Sequence, residues 1–269
     1  MANRIQKARK AFENKDVSLA KAAHSKKSIE EKSHGQETHA TTGQFLGEFV
    51  YGAVDGTVTT FAIVAGAAGA SLSSGIVIIL GFANLLADGF SMACGNFLSE
   101  RTQRDYITKE RKREEWEIEN VRDGEVAEIR EIFRKKGFKG KDLERAVQII
   151  TSDKKVWVDT MMSDELGLIE SQKSPWKTAA STYFGFIIIG IIPLIAYVLS
   201  YFFAFFQNDT FRIAVIMTLG ALIIIGIIKR YITKKDLWKS IAETVFVGGA
   251  AATIAYFIGF FLRWLVGTY

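Results

Sequence analysis

The stretch that decides the fold is GTVTTFAIVAGAAGASLSSGIVIILGFANLLA, residues 56–87, a run without a single charge. Asp55 stands directly before it and Asp88 directly after it. A helix needs about 20 apolar residues to cross the hydrocarbon of a bilayer. The run exceeds that length, and GAAGASLSSG at 66–75 is turn-like, so it divides into two spans. With their flanks these cover 46–70 and 74–99. Further apolar segments predict spans at 178–204, 210–230 and 241–265. None alternates in the manner of a barrel strand, so all five are expected to be helices that satisfy their own backbone.

The rest of the composition agrees with this division. The chain is 23% charged, yet its mean hydropathy is positive. Charge and apolarity are therefore segregated into blocks. The expected architecture is an all-α integral membrane protein of five transmembrane helices, with a helical domain inserted between the second and third. Residues 1–45 form a polar tail, 46–100 the first two spans, 101–175 the insert and 176–269 the last three spans. In the tail, RIQKARKAF suits a short basic helix at a membrane surface. No apolar leader precedes the first span.

Lys and Arg set the expected orientation. Thirty-two of the 34 fall in the tail, the insert and the 229–239 connection. These lie on one side when the N-terminus is cytoplasmic, and an odd number of spans puts the C-terminus outside. The positive net charge is thus a topology signal, and no nucleic-acid partner is expected. The absent leader and short outer loops fit a prokaryotic inner membrane. The single cysteine, Cys94, lies inside a span and has no partner for a disulfide.

The insert reads as four helices. The second span continues through SERTQRDYITKERKREEWEIENV. GEVAEIREIFRKKG follows and stops at Gly137. KDLERAVQIITSD is placed for capping by Asp142, and DKKVWVDTMMSDELGL for capping by Asp153, ending at Gly167. Pro175 marks the return to the membrane, and Pro193 is placed to kink the third span.

Within this insert Glu114 and Glu117 stand at i, i+3, as do Glu125 and Glu128. Met161 and Met162 precede Glu165 by four and three. Residues at these spacings share a helix face. Carboxylates suit hard divalent cations, and thioether sulfur adds affinity for softer transition metals. Each pair alone reads first as a solvated acidic face, and the two methionines alone as core. The three histidines, His24, His34 and His39, are tail residues without metal-site spacing.

Asp55 and Asp88 fall inside spans, where a carboxylate costs roughly 2.5–3.5 kcal/mol at mid-bilayer. Such groups usually line a polar path. Asn84, Asp88 and Met92 recur every four residues on one face of the second span. Glu48 lies seven residues before Asp55, on its face and nearer the cytoplasmic end. Small residues at Gly52, Ala53, Gly56 and Gly66 permit close helix approach, as do Gly248 and Gly249 in the last span.

GAVDGTVTTFAIVAGAAGA, ANLLADGFSMACGNFLSERTQRDY, KREEWEIENV and WVDTMMSDELGL together resemble the vacuolar iron transporter family, from about residue 47 to the C-terminus. The resemblance implies a homodimer with the ion path between subunits, exporting Fe²⁺, and often Mn²⁺, from the cytosol in exchange for protons. It implies that Glu114, Glu117, Glu125, Glu128, Met161, Met162 and Glu165 are the cytoplasmic metal ligands. It places Asp55, Met92 and Glu48 on the transport path. At Asn84 this chain departs from the glutamate that the family carries, and Asp88, one turn on, is the expected substitute. Fe²⁺, Mn²⁺, Co²⁺ and Zn²⁺ all tolerate these ligands as transported substrate; no cofactor and no enzymatic activity are expected. A membrane-anchored ferroxidase-type centre, or a metal sensor without flux, are the rival readings.

Overall fold

The computed structural model describes residues 10–12, 14–24, 42–169, 173–233 and 236–266. The basic stretch expected at 4–12 lies mostly outside the described residues, as do His34 and His39. All regular structure among the described residues is helical. A short helix, α1 (Val17–Ala23), is capped by Asp16, whose side chain accepts from the Leu19 N–H at 3.0 Å.

Five helices are long and apolar enough to cross a membrane. The first is α2 (Thr42–Gly69) and the second α3 (Ser74–Asn120). The turn between them is tighter than the sequence suggests. Gly66 and Gly69 stay helical, and the reversal is made at 70–73, with Ser71 at a φ of 56°. The third span is α7 (Pro175–Gly190) followed by α8 (Ile192–Leu199). Pro193 lacks an N–H, and the helix breaks at Ile191 just before it. A single turn, α9 (Ala204–Gln207), leads to α10 (Thr210–Thr233) and α11 (Leu237–Val266).

Glycines set how closely these helices cross. A Cβ on Gly52 would lie 2.1 Å from the Thr182 carbonyl oxygen, and one on Gly185 2.2 Å from that of Phe49. Backbone therefore meets backbone where α2 crosses α7, as expected for small-residue packing in lipid. Val64, Leu85, Phe186 and Leu194 fill the core around that crossing. Gly52→Ala is expected to destabilise the fold by about 1–3 kcal/mol through overpacking. Gly47→Ala, on the same helix with nothing within 4 Å of its Cβ, is expected to be neutral. Thermal unfolding of both variants in detergent checks the contrast.

The insert begins where α3 leaves the apolar zone. At 47 residues α3 is about 70 Å long, far more than a bilayer needs. It is followed by α4 (Arg122–Lys135), α5 (Gly140–Thr151), α6 (Lys154–Thr160) and a π-helical turn, Met161–Glu165. Ile107, Ile118, Ile129, Val147, Trp157 and Val158 form its separate apolar core. Asp153 caps α6 as expected, accepting from the N–H groups of Lys155 and Val156. The expected cap at Asp142 is a correction: α5 starts earlier, at Gly140, with Lys139 as its cap residue, and Asp142 sits in the first turn, where its charge still suits the helix dipole. The fourth insert helix is a second correction. It changes at Met161 from α to π pitch, with the Leu166 N–H donating to the Met161 carbonyl at 3.1 Å.

Candidate metal site

Three of the sequence-selected glutamates converge. One ligand oxygen each from Glu114, Glu117 and Glu125 lies within 4.8 Å of the others. The i, i+3 spacing puts Glu114 and Glu117 on one face of α3, and α4 brings Glu125 against that face. Glu114 is 1% exposed and Glu125 6%. One oxygen of each, Oε2, is buried with no hydrogen-bond partner. A buried carboxylate oxygen without a donor is costly, and a cation between these helices would satisfy both.

The other acids stand at the rim. Glu128 and Glu165 are exposed, and the charge of Glu128 raises the Glu165 carboxyl. Met161 and Met162 are buried side by side in the insert's apolar core. The π turn widens the helix where they sit, and such turns recur at functional sites.

Sequence reasoning missed Arg113. Its guanidinium donates to Glu114 at 2.7 Å, Glu117 at 2.7 Å and Glu110 at 2.9 Å. It neutralises part of the cluster and leaves Glu114 Oε2 free. The signal was present in KREEWE, but basic residues are so frequent there that no spacing singles one out.

Burial, opposed in part by Arg113 and reinforced by Glu165, Glu117 and Glu128, pushes the Glu114 carboxyl up to about 7. Burial, then Glu128, Glu114, Glu117 and Glu165, does the same to Glu125, also to about 7. Glu165 is raised by burial first and by Glu128 next. Ionised, these groups repel one another, and protons or a cation would relieve that repulsion.

A pH dependence follows. The folded state binds more protons than the unfolded chain between the ordinary glutamate value of 4.5 and about 7. Stability of the metal-free protein is therefore expected to fall as pH rises through that window and to level off above it. Added Mn²⁺ is expected to restore it chiefly above pH 7, where protons no longer compete for the carboxylates. Thermal melts of the full chain from pH 5 to 8, with and without Mn²⁺, check both signs.

The second group of selected residues lies on the spans. Asp55 is half-buried on α2 and interacts electrostatically with Asp88 on α3. Asn84 and Met92 are half-buried, while Asp88 and Ser91 between them are exposed. Thr59 donates to the Asp55 carbonyl at 2.7 Å. Glu48 is held by Lys173, Nζ to Oε1 3.0 Å. That pairing joins positions 125 apart and had no sequence signal. Gly248 meets Leu222 of α10, whereas Gly249 meets nothing within 4 Å.

Five helices long and apolar enough to cross a membrane, carboxylates within them and an acidic cluster where α4 meets the extension of α3 define the class as a polytopic helical membrane protein. The chain belongs to the VIT family, which it matches over residues 46–260. It is 37% identical over 262 residues to the vacuolar iron transporter of Plasmodium falciparum, covering 95% of each chain. It is 34% identical over 271 residues to that of Toxoplasma gondii, covering 98% of this chain and 90% of the relative. Vacuolar iron transporter 1 of Arabidopsis thaliana is 33% identical over 224 residues, 83% of this chain and 88% of the relative. Members of this family are transporters, not enzymes.

Proposed function

We propose that the chain moves Fe²⁺, and also Mn²⁺, out of the cytosol in exchange for protons, working as a homodimer. The observation that carries this reading is the meeting of Glu114, Glu117 and Glu125 with two unpartnered buried oxygens; Glu114 and Glu117 stand on the same unbroken helix that carries Asp88 and Met92, and α4 brings Glu125 against them. The names of the relatives supply iron as the substrate.

In this mechanism the insert faces the cytosol. Its net negative cluster raises the local cation concentration. Glu114, Glu117, Glu125, Glu128 and Glu165 supply hard oxygen ligands, and Met161 and Met162 supply sulfur that favours a transition metal over Mg²⁺ or Ca²⁺. The ion passes Glu48 once Lys173 yields, then reaches Met92, Asp55 and Asp88. Protons from the far side protonate the two aspartates, release the metal and reset the carrier. Asp88 takes the titrating role that Asn84 lacks. Asp88 and Ser91 lie exposed on a spanning helix; a second copy of the chain covering that face spares the carboxylate from lipid. The vacuolar names of the relatives give no support to the cell-membrane placement expected from the sequence, and we assign the protein to an organellar-type membrane.

The ferroxidase alternative lacks support, because residues 100–177 contain no histidine and so no Glu-x-x-His pattern of the ferritin-like di-iron kind. Fe²⁺ uptake by sealed proteoliposomes containing a trapped chelating dye tests the reading. Continuous dye quenching is expected. A single stoichiometric step followed by no further change would reduce the protein to a metal binder.

A further inference from the structure

The loop that joins α4 to α5 carries the most concentrated positive charge of the insert. Residues 134–145 read RKKGFKGKDLER, six basic residues against two acidic. Arg134 is engaged by Glu131 and Lys136 by Asp164. Lys139, Lys141 and Arg145 have no ion-pair partner among the described residues. Residues 134–142 are exposed without interruption. Phe138 is 40% exposed and rests edge-on against Phe133, ring centroids 5.4 Å apart. Gly137 and Gly140, at φ of 99° and 53°, turn the chain on either side of Phe138 and Lys139.

The height of this loop above the membrane follows from contacts along α3. Phe97 meets Trp176, at the start of the third span, with ring centroids 4.5 Å apart, which marks the edge of the apolar zone. Glu125 of α4 meets Glu117 of α3. Eleven residues later Lys136 bonds Asp164, Nζ to Oδ2 2.5 Å. Asp164's neighbours Met162 and Ser163 line a cavity with Ile107 and Thr108 of α3. Eleven residues of α4 rise about 16 Å, and the ten from Glu117 back to Ile107 rise about 15 Å. So α4 runs antiparallel to α3, back toward the bilayer, and its C-terminal loop is the membrane-near tip of the insert. Ile107 is in turn ten residues, about 15 Å, beyond Phe97. The headgroup layer occupies roughly 5–8 Å of that gap. What remains is about a Debye length at physiological salt, within which basic residues feel anionic lipid.

We propose that the 135–141 loop docks on the anionic headgroup surface of the leaflet beside which the insert stands. Lys139 and Lys141 meet lipid phosphates, with Lys135, paired to Glu131 at 3.9 Å, beside them, and Phe138 enters the interface. In sequence the insert joins the spans through α3 before it and Pro175 after it; a lipid contact at the loop gives it a further support and steadies α4, which carries Glu125. The inference rests on the membrane placement of the spans and is independent of which metal, if any, is carried.

The test uses the full-length protein in nanodiscs. In a Cys94→Ser background, Phe138→Cys carries a small fluorophore, and the discs contain headgroup-nitroxide lipid. At least about twofold stronger quenching is expected in phosphatidylglycerol-containing discs than in purely phosphatidylcholine discs. It is expected to vanish in Lys139→Glu/Lys141→Glu and in about 0.5 M salt, where screening is strong. A fluorophore at Ser152→Cys, in the turn at the other end of α5, is expected to stay unquenched throughout. Equal fluorescence at position 138 in both kinds of disc, or quenching that persists in the charge-reversed variant, overturns the proposal. Because the lipid comparison uses one and the same protein, a folding defect in a variant does not blur the outcome.

Discussion

Replacing Glu114 and Glu125 together by glutamine is expected to lower Mn²⁺ affinity at pH 7.5 by at least about tenfold, or about 1.4 kcal/mol. These are the two most buried acids of the cluster, and each keeps one oxygen without a donor. Glutamine preserves shape but removes the charge that pays for dehydrating the ion. The same substitution is expected to raise the melting temperature of the metal-free protein at pH 8, because two buried ionised groups become neutral. The opposite signs are the diagnostic. A merely damaged fold would lower both affinity and melting temperature. Below about pH 6 the affinity difference between wild type and variant should shrink, since the wild-type carboxyls, raised to about 7, then carry protons. Equilibrium binding of Mn²⁺ to the full chain, read beside thermal melts, checks all three.

Asp55→Asn is expected to reduce Fe²⁺ flux in proteoliposomes by about 100-fold or more, while leaving Mn²⁺ binding at the glutamate cluster within about twofold of wild type. In the proposed mechanism Asp55 ligates the metal and takes the returning proton; asparagine offers only a neutral oxygen and takes no proton. Asp88 separates these two roles. Its carboxylate interacts with Asp55, and it stands one turn from Asn84. Asp88→Asn is expected to remove the dependence of flux on the pH gradient, whereas Asp88→Glu retains it. Flux and pH dependence unchanged in Asp88→Asn would show that Asp88 does not replace the missing carboxylate.

The spans were legible because bilayer crossing is a demand on length and apolarity alone. Residues 56–87 satisfy it without reference to any other part of the chain, and the continuation of the second span into a single helix ending at Asn120 follows from the absence of Gly and Pro after Gly95. Caps are local too, which is why Asp153 was readable from its position. Asp142 misled because an acid in a first turn and an acid at a cap carry nearly the same signal, and the helix begins three residues earlier than a cap at Asp142 would set, at Gly140. The π turn had no sequence mark; it arises where Met161 and Met162 are both drawn into the insert core, a tertiary demand.

The candidate site was legible as pairs. Spacing placed Glu114 with Glu117 and Glu125 with Glu128, but spacing within one helix says nothing of which helices meet. Their convergence depends on α4 folding back along α3. Lys173 was hidden for the same reason, since its partner Glu48 is 125 positions away. Arg113 went unread for another: its partners Glu110, Glu114 and Glu117 are local on α3, but it is one of 34 basic residues and no spacing singles it out.

The central claim is that metal moves in one direction as protons move in the other. It is tested most directly in sealed proteoliposomes that report Fe²⁺ entry and luminal pH at the same time, with an acid interior and the insert facing outward. The account predicts Fe²⁺ uptake accompanied by a rise in luminal pH, both lost when the pH gradient is collapsed and both lost in Asp55→Asn. Fe²⁺ uptake that proceeds at the same rate without a gradient and without luminal alkalinisation would contradict it.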